Sequence, residues 1–359
     1  MSSPKTNGMP PVKQRQGVRF QNWAKTHSCR PALFFEPDTE AQVIVKQARA
    51  QGKTCRAIGA GHSPSDLACT NDYMIGTDRL DRVISGGMRL HDLHEYLAQH
   101  QLALSNLGSI SDQSVTELTL VLADGAVVTC SAEEQPRLFR AAQCSLGCLG
   151  IIVRVTLQCE PAFLLRATEE LWSMADLLGR WSDTVHSAEH VRFWWFPHTD
   201  NVVVWRANRT TEHAVGRTPA LSWLRDRLFG YHMYELGLYL ARFMPRLLTA
   251  SIERWKVAWL HQDPIVTVGP SHDVFNFDCL FSQRVNEWAV PADRAPEAIR
   301  QLRQIIAQGS FPVHFPIEIR FTAKDDIWLS PAQGHDVCYI GIIMYRWVME
   351  AMSRSCFAG

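Results

Sequence analysis

The chain predicts an α+β protein of two regions, and three observations carry that expectation. The first is a strand, helix, strand run over residues 32–58 that ends in Gly59-Ala60-Gly61-His62. The second is a pair of short strands flanking Asp124-Gly125, a hairpin signal. The third is a change of character at Pro161, after which the strands become richer in aromatic residues and are separated by helical stretches. A chain of 359 residues is long enough for two domains.

In order, residues 1–26 read as a tail. No apolar core lies in the first twenty residues, so no cleavable signal peptide is expected. The segment carries Lys5, Lys13, Arg15, Arg19 and Lys25, and no acid precedes Glu36. It reads either as a transit-type leader or as a disordered basic tail. Residues 32–35, between Pro31 and Pro37, form a short apolar strand. Thr39 and Gln42 then suit a capping box, and Val43, Ile44 and Ala48, with the stop at Gly52, fit one helix.

Residues 54–58 read as a buried strand. The chain then turns on Gly59 and Gly61, which tolerate positive φ and let a ligand approach bare backbone. Successive N–H groups in such a turn make a concavity for an anion such as a pyrophosphate. His62 adds a ring nitrogen able to act as nucleophile or hydrogen-bond partner. A plain tight turn is the alternative. A Rossmann phosphate loop is another, but its third glycine would fall on Pro64.

Strands are expected at 73–77 and 80–84, and a helix at 88–100 with Leu90, Leu93 and Leu97 on one face. His91, His94 and Glu95 on that helix could be metal ligands or ordinary surface residues. No third ligand is evident, so no metal site is predicted. Strands 118–123 and 126–130 then flank a turn of type I′ character. A short helix at 138–143 precedes Gly147-Cys148-Leu149-Gly150 and the strand 151–157. The two glycines read as a packing device or as a wall against a flat ligand.

In the second region, strands are expected at 191–196 and 202–206. Residues 221–259 mix apolar and basic side chains with no run able to span a bilayer. They read either as a basic amphipathic helix pair on a membrane surface or as a pair packed on its own domain. A helix follows at 296–307, and a strand at 316–322 points Ile317, Ile319 and Phe321 one way and Glu318 and Arg320 the other. Such a Glu and Arg are either a solvated ion pair or two groups projecting into a cleft to bind a sugar-like substrate. A last strand is expected at 339–345.

Lys plus Arg and Asp plus Glu are equal at 36 each, so no basic field for nucleic acid exists overall. Ten cysteines occur without a C-x-x-C pair, which reads as free thiols in a reducing compartment.

Four motifs now carry a resemblance: Phe20-Gln21-Asn22-Trp23-Ala24, Gly59 to Ser65, Leu107-Gly108-Ser109-Ile110-Ser111-Asp112-Gln113-Ser114, and Ser145 to Ile152. With Arg192-Phe193-Trp194-Trp195 and Ile317-Glu318-Ile319-Arg320-Phe321, they resemble the sugar-1,4-lactone oxidases over nearly the whole chain, in collinear order. The resemblance implies an FAD-binding domain of the PCMH or vanillyl-alcohol oxidase type over 27–160. A cap domain with an antiparallel sheet and flanking helices would follow over 161–359. It implies oxidation of an aldonolactone beside its carbonyl, with O2 as acceptor and H2O2 as product, on a route to ascorbate or its five-carbon analogue.

His62 would bond covalently to the flavin 8α-methyl. Arg56, Gly59, Ala60, Gly61 and Ser63 would join it in holding the cofactor, with Ser109, Ser114, Gly147 and Gly150 lining the flavin. Glu318 and Arg320 match the family's substrate-activating pair. Relatives are membrane-associated, which implies a mitochondrial (outer) membrane location, with the endoplasmic reticulum as the alternative. A sugar lactone and O2 are the expected partners; no protein partner is predicted.

The chain also departs from the family pattern. Ser114-Val115 runs straight into Thr116-Glu117, where relatives carry a long small-residue stretch that wraps the flavin. Ser85 and Gly86 bridge a place where a strand and turn are expected. The chain ends through Arg346-Trp347-Val348 without the His-Trp-x-Lys motif of relatives. Loss of one wall of a large cofactor site removes several contacts worth about 1 kcal/mol each. The expectation is a recognisable fold with a weakened first domain. A catalytically silent relative kept as a binding or membrane-surface protein is the competing reading, and an NAD-dependent dehydrogenase, resting on the Gly-x-Gly turn alone, is the third.

Overall fold

The computed structural model describes residues 12–37, 41–59, 61, 63, 65–78, 89–105, 115–213, 228, 230–241, 243–260, 264–275, 283–308 and 313–345. The chain forms two units, Met1–His100 with Ser111–Cys159, and Gln101–Ile110 with Glu160–Gly359.

The first unit opens with β1 (Lys13–Arg15), β2 (Phe20–Gln21), β3 (Ser28–Cys29) and β4 (Leu33–Glu36). Helix α1 (Ala41–Ala50), β5 (Cys55–Ile58), β6 (Tyr73–Gly76) and α2 (Leu90–Gln99) follow. Four strands make a sheet in the order β1-β4-β6-β5, with β6 parallel to both β4 and β5. All four residues of β6 are buried, as a central parallel strand covered on both faces requires. Ala41, Ile44, Val45 and Ala48 form one stripe of α1 and pack with Phe35, Tyr73 and Ile75. Full burial of an Ile or Phe side chain stabilises by about 1.5–3 kcal/mol. That packing fixes where β5 ends, and so where the glycine turn begins.

Strand β7 (Leu102–Ala103) pairs in the second unit. Strands β8 (Val115–Val121), β9 (Val127–Ser131) and β10 (Ile151–Leu157) form an antiparallel sheet in the order β10-β8-β9. It is backed by α3 (Pro136–Gln143), whose Phe139 and Ala142 pack on Leu118, Leu120 and Cys130. Val121 and Ile151 join the core under α1, tying the two sheets together.

The second unit begins with β11 (Glu160–Pro161), paired with β7. Then come β12 (Leu164–Ser173), α4 (Met174–Gly179), α5 (Trp181–Val185), β13 (His190–Trp195) and β14 (Asn201–Thr210). Helices α6 (Tyr234–Ala241) and α7 (Pro245–Leu260) precede β15 (Ile265–Pro270), α8 (Ser271–Phe275) and β16 (Gln283–Pro291). Last are α9 (Ala295–Ala307), β17 (Ile317–Thr322) and β18 (Val337–Tyr345). Seven strands form one antiparallel sheet, β15-β12-β14-β13-β17-β18-β16. One face is apolar: Phe193, Trp195, Val202, Val204, Ile317, Ile319 and Ile340 pack against Met174 and Leu177 of α4 and Ile299 and Ile306 of α9. On the other face Leu165, Ala167, Trp205 and Ala207 meet Phe275 of α8. That face turns polar towards β17 and β16.

In α7, Glu253 is fully buried and accepts a hydrogen bond from Tyr234 Oη at 2.7 Å, while Lys256 Nζ sits 3.8 Å from the Tyr234 ring centre. Burial pushes the Glu253 carboxyl up to about 7, against the pull of Lys256 and the Tyr234 hydrogen bond.

Several sequence readings are corrected. The hairpin turn is not type I′: Gly125 has φ +77° but Asp124 is not in the left-handed region. Gly125 N–H donates to Leu122 O, and Ala126 N–H to Asp124 Oδ1, so the turn is type I closed by a left-handed glycine. Of the two glycines of the turn, Gly61 has positive φ and Gly59 does not. Strands β4 and β5 of the βαβ-like unit are not neighbours, since β6 lies between them. Strands β12, β15 and β16 are additions to the sequence reading. Glu169 and Glu170 break the alternation of β12, and Asn286 and Glu287 that of β16. The expected cap Thr39, the strand at 80–84 and much of 221–230 lie outside the described residues. In the described part of 221–259, Tyr234, Leu238 and Ile252 pack together with Phe315 of the same unit. On α2, His94 is buried while His91 is exposed and pairs with Asp92 and Glu95.

Candidate active site

In the first unit, main chain builds the site. Strand β5 delivers Arg56, and its end leads into Gly59, Gly61 and Ser63. Gly61 adopts φ +72°, and a Cβ there would lie 3.2 Å from Phe20 Cε2. Two contacts from the Phe20-to-Ala24 motif hold this turn by its carbonyls. Trp23 N–H donates to Gly61 O at 2.8 Å, and Asn22 Nδ2 donates to Ser63 O at 3.0 Å. Asn22 is itself buried, and its Oδ1 accepts from Thr26 N–H and His27 N–H. With these carbonyls engaged, their lone pairs are not offered to an anion. Gly147 (φ +71°) is brought to the same strand, a Cβ there falling 3.9 Å from Arg56 Nη1. A Cβ on Gly150 would lie 2.4 Å from Val121 O, so that glycine is required by close packing on β8. Ala60, His62, Ser109 and Ser114 lie outside the described residues.

A large dinucleotide fits these residues. Left-handed Gly61 leaves main chain bare at the end of β5, and Arg56 of β5 lies beside Gly147, donors and a cation suited to a pyrophosphate.

In the second unit, side chains build the site. Glu318 and Arg320 share the polar face of β17, opposite Ile317 and Ile319, as the alternation predicts. Arg192 of β13 is directly across from Arg320, and Trp194 from Glu318. Arg192 Nη1 is 3.8 Å from Glu318 Oε1, its Nη2 donates to Phe275 O, and its guanidinium stacks 4.4 Å over the Trp205 ring. Arg320 pairs with Glu287 on β16 and lies 5.0 Å over the Tyr339 ring. The Glu318 and Arg192 side chains are only 15% and 16% exposed. Burial raises the Glu318 pKa above the ordinary carboxylate value, Arg320 and Arg192 pull it back, and Glu287 adds to the rise. Burial likewise lowers the Arg192 pKa, and Glu318 opposes that.

The sequence reading pairs Glu318 with Arg320 but gives no role to Arg192, Glu287, Tyr339 or Asn22. The signals available for them are Gly341 inside an apolar strand, which marks a close approach, and Arg192 and Asn22 within the motifs of the resemblance.

Comparison with known proteins agrees with both regions. Residues 155–358 match the D-arabinono-1,4-lactone oxidase family, and residues 31–116 match an FAD-binding domain family. The chain is 36% identical to L-gulonolactone oxidase of Mus musculus, over 92% of this chain and 82% of that protein. That alignment runs over 367 residues, longer than this whole chain of 359, so the relative carries internal residues that this chain lacks. Identity to D-arabinono-1,4-lactone oxidase of Eremothecium gossypii is 38%, over 84% of this chain and 65% of that protein. Among solved structures, cholesterol oxidase from B. sterolicum superposes with a TM-score of 0.69 at 17% identity, covering 96% of this chain and 82% of its own. A Physcomitrella patens BBE-like protein gives 0.60 at 12% identity, covering 95% and 86%. These two share the fold. The chain belongs to the D-arabinono-1,4-lactone and L-gulonolactone oxidase family and carries that family's FAD-binding domain.

Proposed function

We propose that this chain oxidises an aldono-1,4-lactone of the D-arabinono type, with O2 as acceptor and H2O2 as co-product. The observation that carries the reading is Glu318 set beside two guanidiniums on one half-buried sheet face, inside the stretch that matches the lactone oxidase family. In the reaction the carbon beside the lactone carbonyl loses its hydrogen as hydride and its hydroxyl loses a proton, so the carbinol becomes a ketone. When bound, FAD would supply the hydride acceptor and the route by which two electrons, with two protons, reach O2 to give H2O2.

The chain's own residues do the rest. Glu318 orients the substrate hydroxyl and accepts its proton; its raised pKa brings it closer to the operating pH. Arg320 faces the negative charge that grows on the lactone oxygen. In the first unit, Arg56, Gly59, Gly61 and Ser63 would hold the pyrophosphate end, with Ala60 and His62 of the same motif. Gly147, Gly150, Ser109 and Ser114 would line the flavin, and His62 would carry the covalent bond.

Purified protein should be yellow, its flavin should stay with the denatured polypeptide, and aerated D-arabinono-1,4-lactone should yield H2O2. His62→Ala should release the flavin on denaturation. A colourless protein that takes up no added FAD, or a flavoprotein that leaves the lactone untouched, overturns the reading.

A membrane-surface location, at the mitochondrion or else the endoplasmic reticulum, is part of the proposal. Its support is an apolar side beside and along α6. Met233, Leu236, Leu240 and Phe243 recur at helical spacing and are 44, 48, 48 and 63% exposed. Among the described residues no helix is long and apolar enough to cross a membrane. Leu240→Glu with Phe243→Glu should release the protein from sedimenting lipid vesicles; unchanged binding removes this side as the contact.

A further inference from the structure

Arg320 is gripped from two strands away. Its Nε lies 3.1 Å from Glu287 Oε1, and its Nη2 lies 2.8 and 2.7 Å from Oε1 and Oε2. Strand β18 runs between β17 and β16, and its residue facing both Glu318 and Glu287 is Gly341. A Cβ at 341 would stand 3.5 Å from Glu287 Oε1 and 3.8 Å from Glu318 Cβ. An alanine would therefore already touch both carboxylate side chains, and anything larger would fill the corridor they use. The Tyr339 ring lies 5.0 Å from the Arg320 guanidinium carbon.

A guanidinium on a long side chain has many rotamers to lose, and a substrate oxygen rewards only one plane. We propose that Glu287 is a positioning residue for lactone oxidation, fixing the plane and reach of Arg320 before the substrate arrives. Two carboxylate oxygens on two guanidinium nitrogens define a plane, which a single contact would leave free to swing. The inference rests on the proposed lactone oxidation. A misplacement of about 1 Å in such a group costs on the order of a hundredfold in rate.

The test uses the FAD-loaded full chain, with flavin reduction by D-arabinono-1,4-lactone followed without O2 and lactone affinity followed by calorimetry. Glu287→Gln keeps the shape and removes the charge. It should slow flavin reduction at least about tenfold while flavin content and melting temperature stay at the parent values. Glu287→Asp should recover part of the rate. The acid limb of the pH profile should move to lower pH in Glu287→Gln, because the Glu287 charge raises the Glu318 pKa. A merely structural residue would not move that limb. In an Arg320→Ala background, adding Glu287→Gln should slow the rate above the acid limb no further, while the limb itself still moves to lower pH.

If the parent oxidises the lactone and Glu287→Gln matches it in rate, affinity and pH profile, the role of Glu287 falls and the oxidase reading stands. Multiplying effects of the two substitutions have the same meaning. A parent that neither oxidises nor binds the lactone overturns both.

Discussion

The two candidate sites are made of different material. In the first unit the working surface is backbone: a left-handed Gly61, with the Gly61 and Ser63 carbonyls tied back to Trp23 and Asn22. In the second it is side chains from four strands, Arg192, Glu318 with Arg320, Tyr339 and Glu287, held by strand register and partial burial. A backbone cradle depends on local conformation and on what grips it. A side-chain cluster depends on which residues the sheet brings opposite each other, and its proton affinities follow from burial. Damage to one region should therefore be readable separately from damage to the other.

The largest effect should come from the side-chain region. Arg320→Ala should lower kcat/KM for the lactone by about 10²–10³-fold, the range seen on removing one donor to a developing anion. Flavin content, measured by absorbance per polypeptide, should be unchanged. A flavin-free Arg320→Ala protein would break the separation.

A smaller effect is expected in the cradle. Asn22→Ala removes the donor to Ser63 O and the acceptor for two N–H groups, those of Thr26 and His27. It should cost roughly 1–3 kcal/mol in urea unfolding and lower FAD occupancy. Affinity for the lactone, read by calorimetry, should hold. Full FAD occupancy in Asn22→Ala would show that the carbonyl clamp does not shape the turn.

An effect on stability alone, with none expected on the lactone or the flavin, sharpens the contrast within the second unit. The folded pKa of Glu253, about 7, lies above its ordinary value of 4.5. The folded state therefore holds the proton more tightly, and the stabilisation is complete at low pH and fades as pH rises from about 4.5 to 7. Stability should fall over that window with a limiting slope on the order of 1 kcal/mol per pH unit. Glu253→Gln should flatten the curve. An unchanged slope in that variant would remove Glu253 as its source.

Legibility follows the same division. Gly61, Gly147 and Gly150 stand out in the sequence because few residues tolerate positive φ, or a neighbouring backbone so close that a Cβ would fall 2.4 Å from Val121 O, as at Gly150. The Glu318–Arg320 alternation is equally plain, since a strand's two-residue period is local. The grip of Glu287 on Arg320 is not. The two residues are 33 positions apart, and their meeting depends on β18 being inserted between β17 and β16. The type I turn at Gly125 escapes the sequence because Asp-Gly supports more than one hairpin loop, and the pairing of β8 with β9 decides among them.

The sequence by itself determined the elements whose signals are local: the α1 stripe, the glycine turns, the two faces of β17, and through its motifs the family. Only the tertiary structure decided the partners. It placed Arg192 beside Glu318, Glu287 against Arg320, and Asn22 and Trp23 against the Ser63 and Gly61 carbonyls. The physical reason is that backbone preference is a property of a few neighbouring residues. Charge pairing and burial arise only where the sheet order brings distant residues face to face.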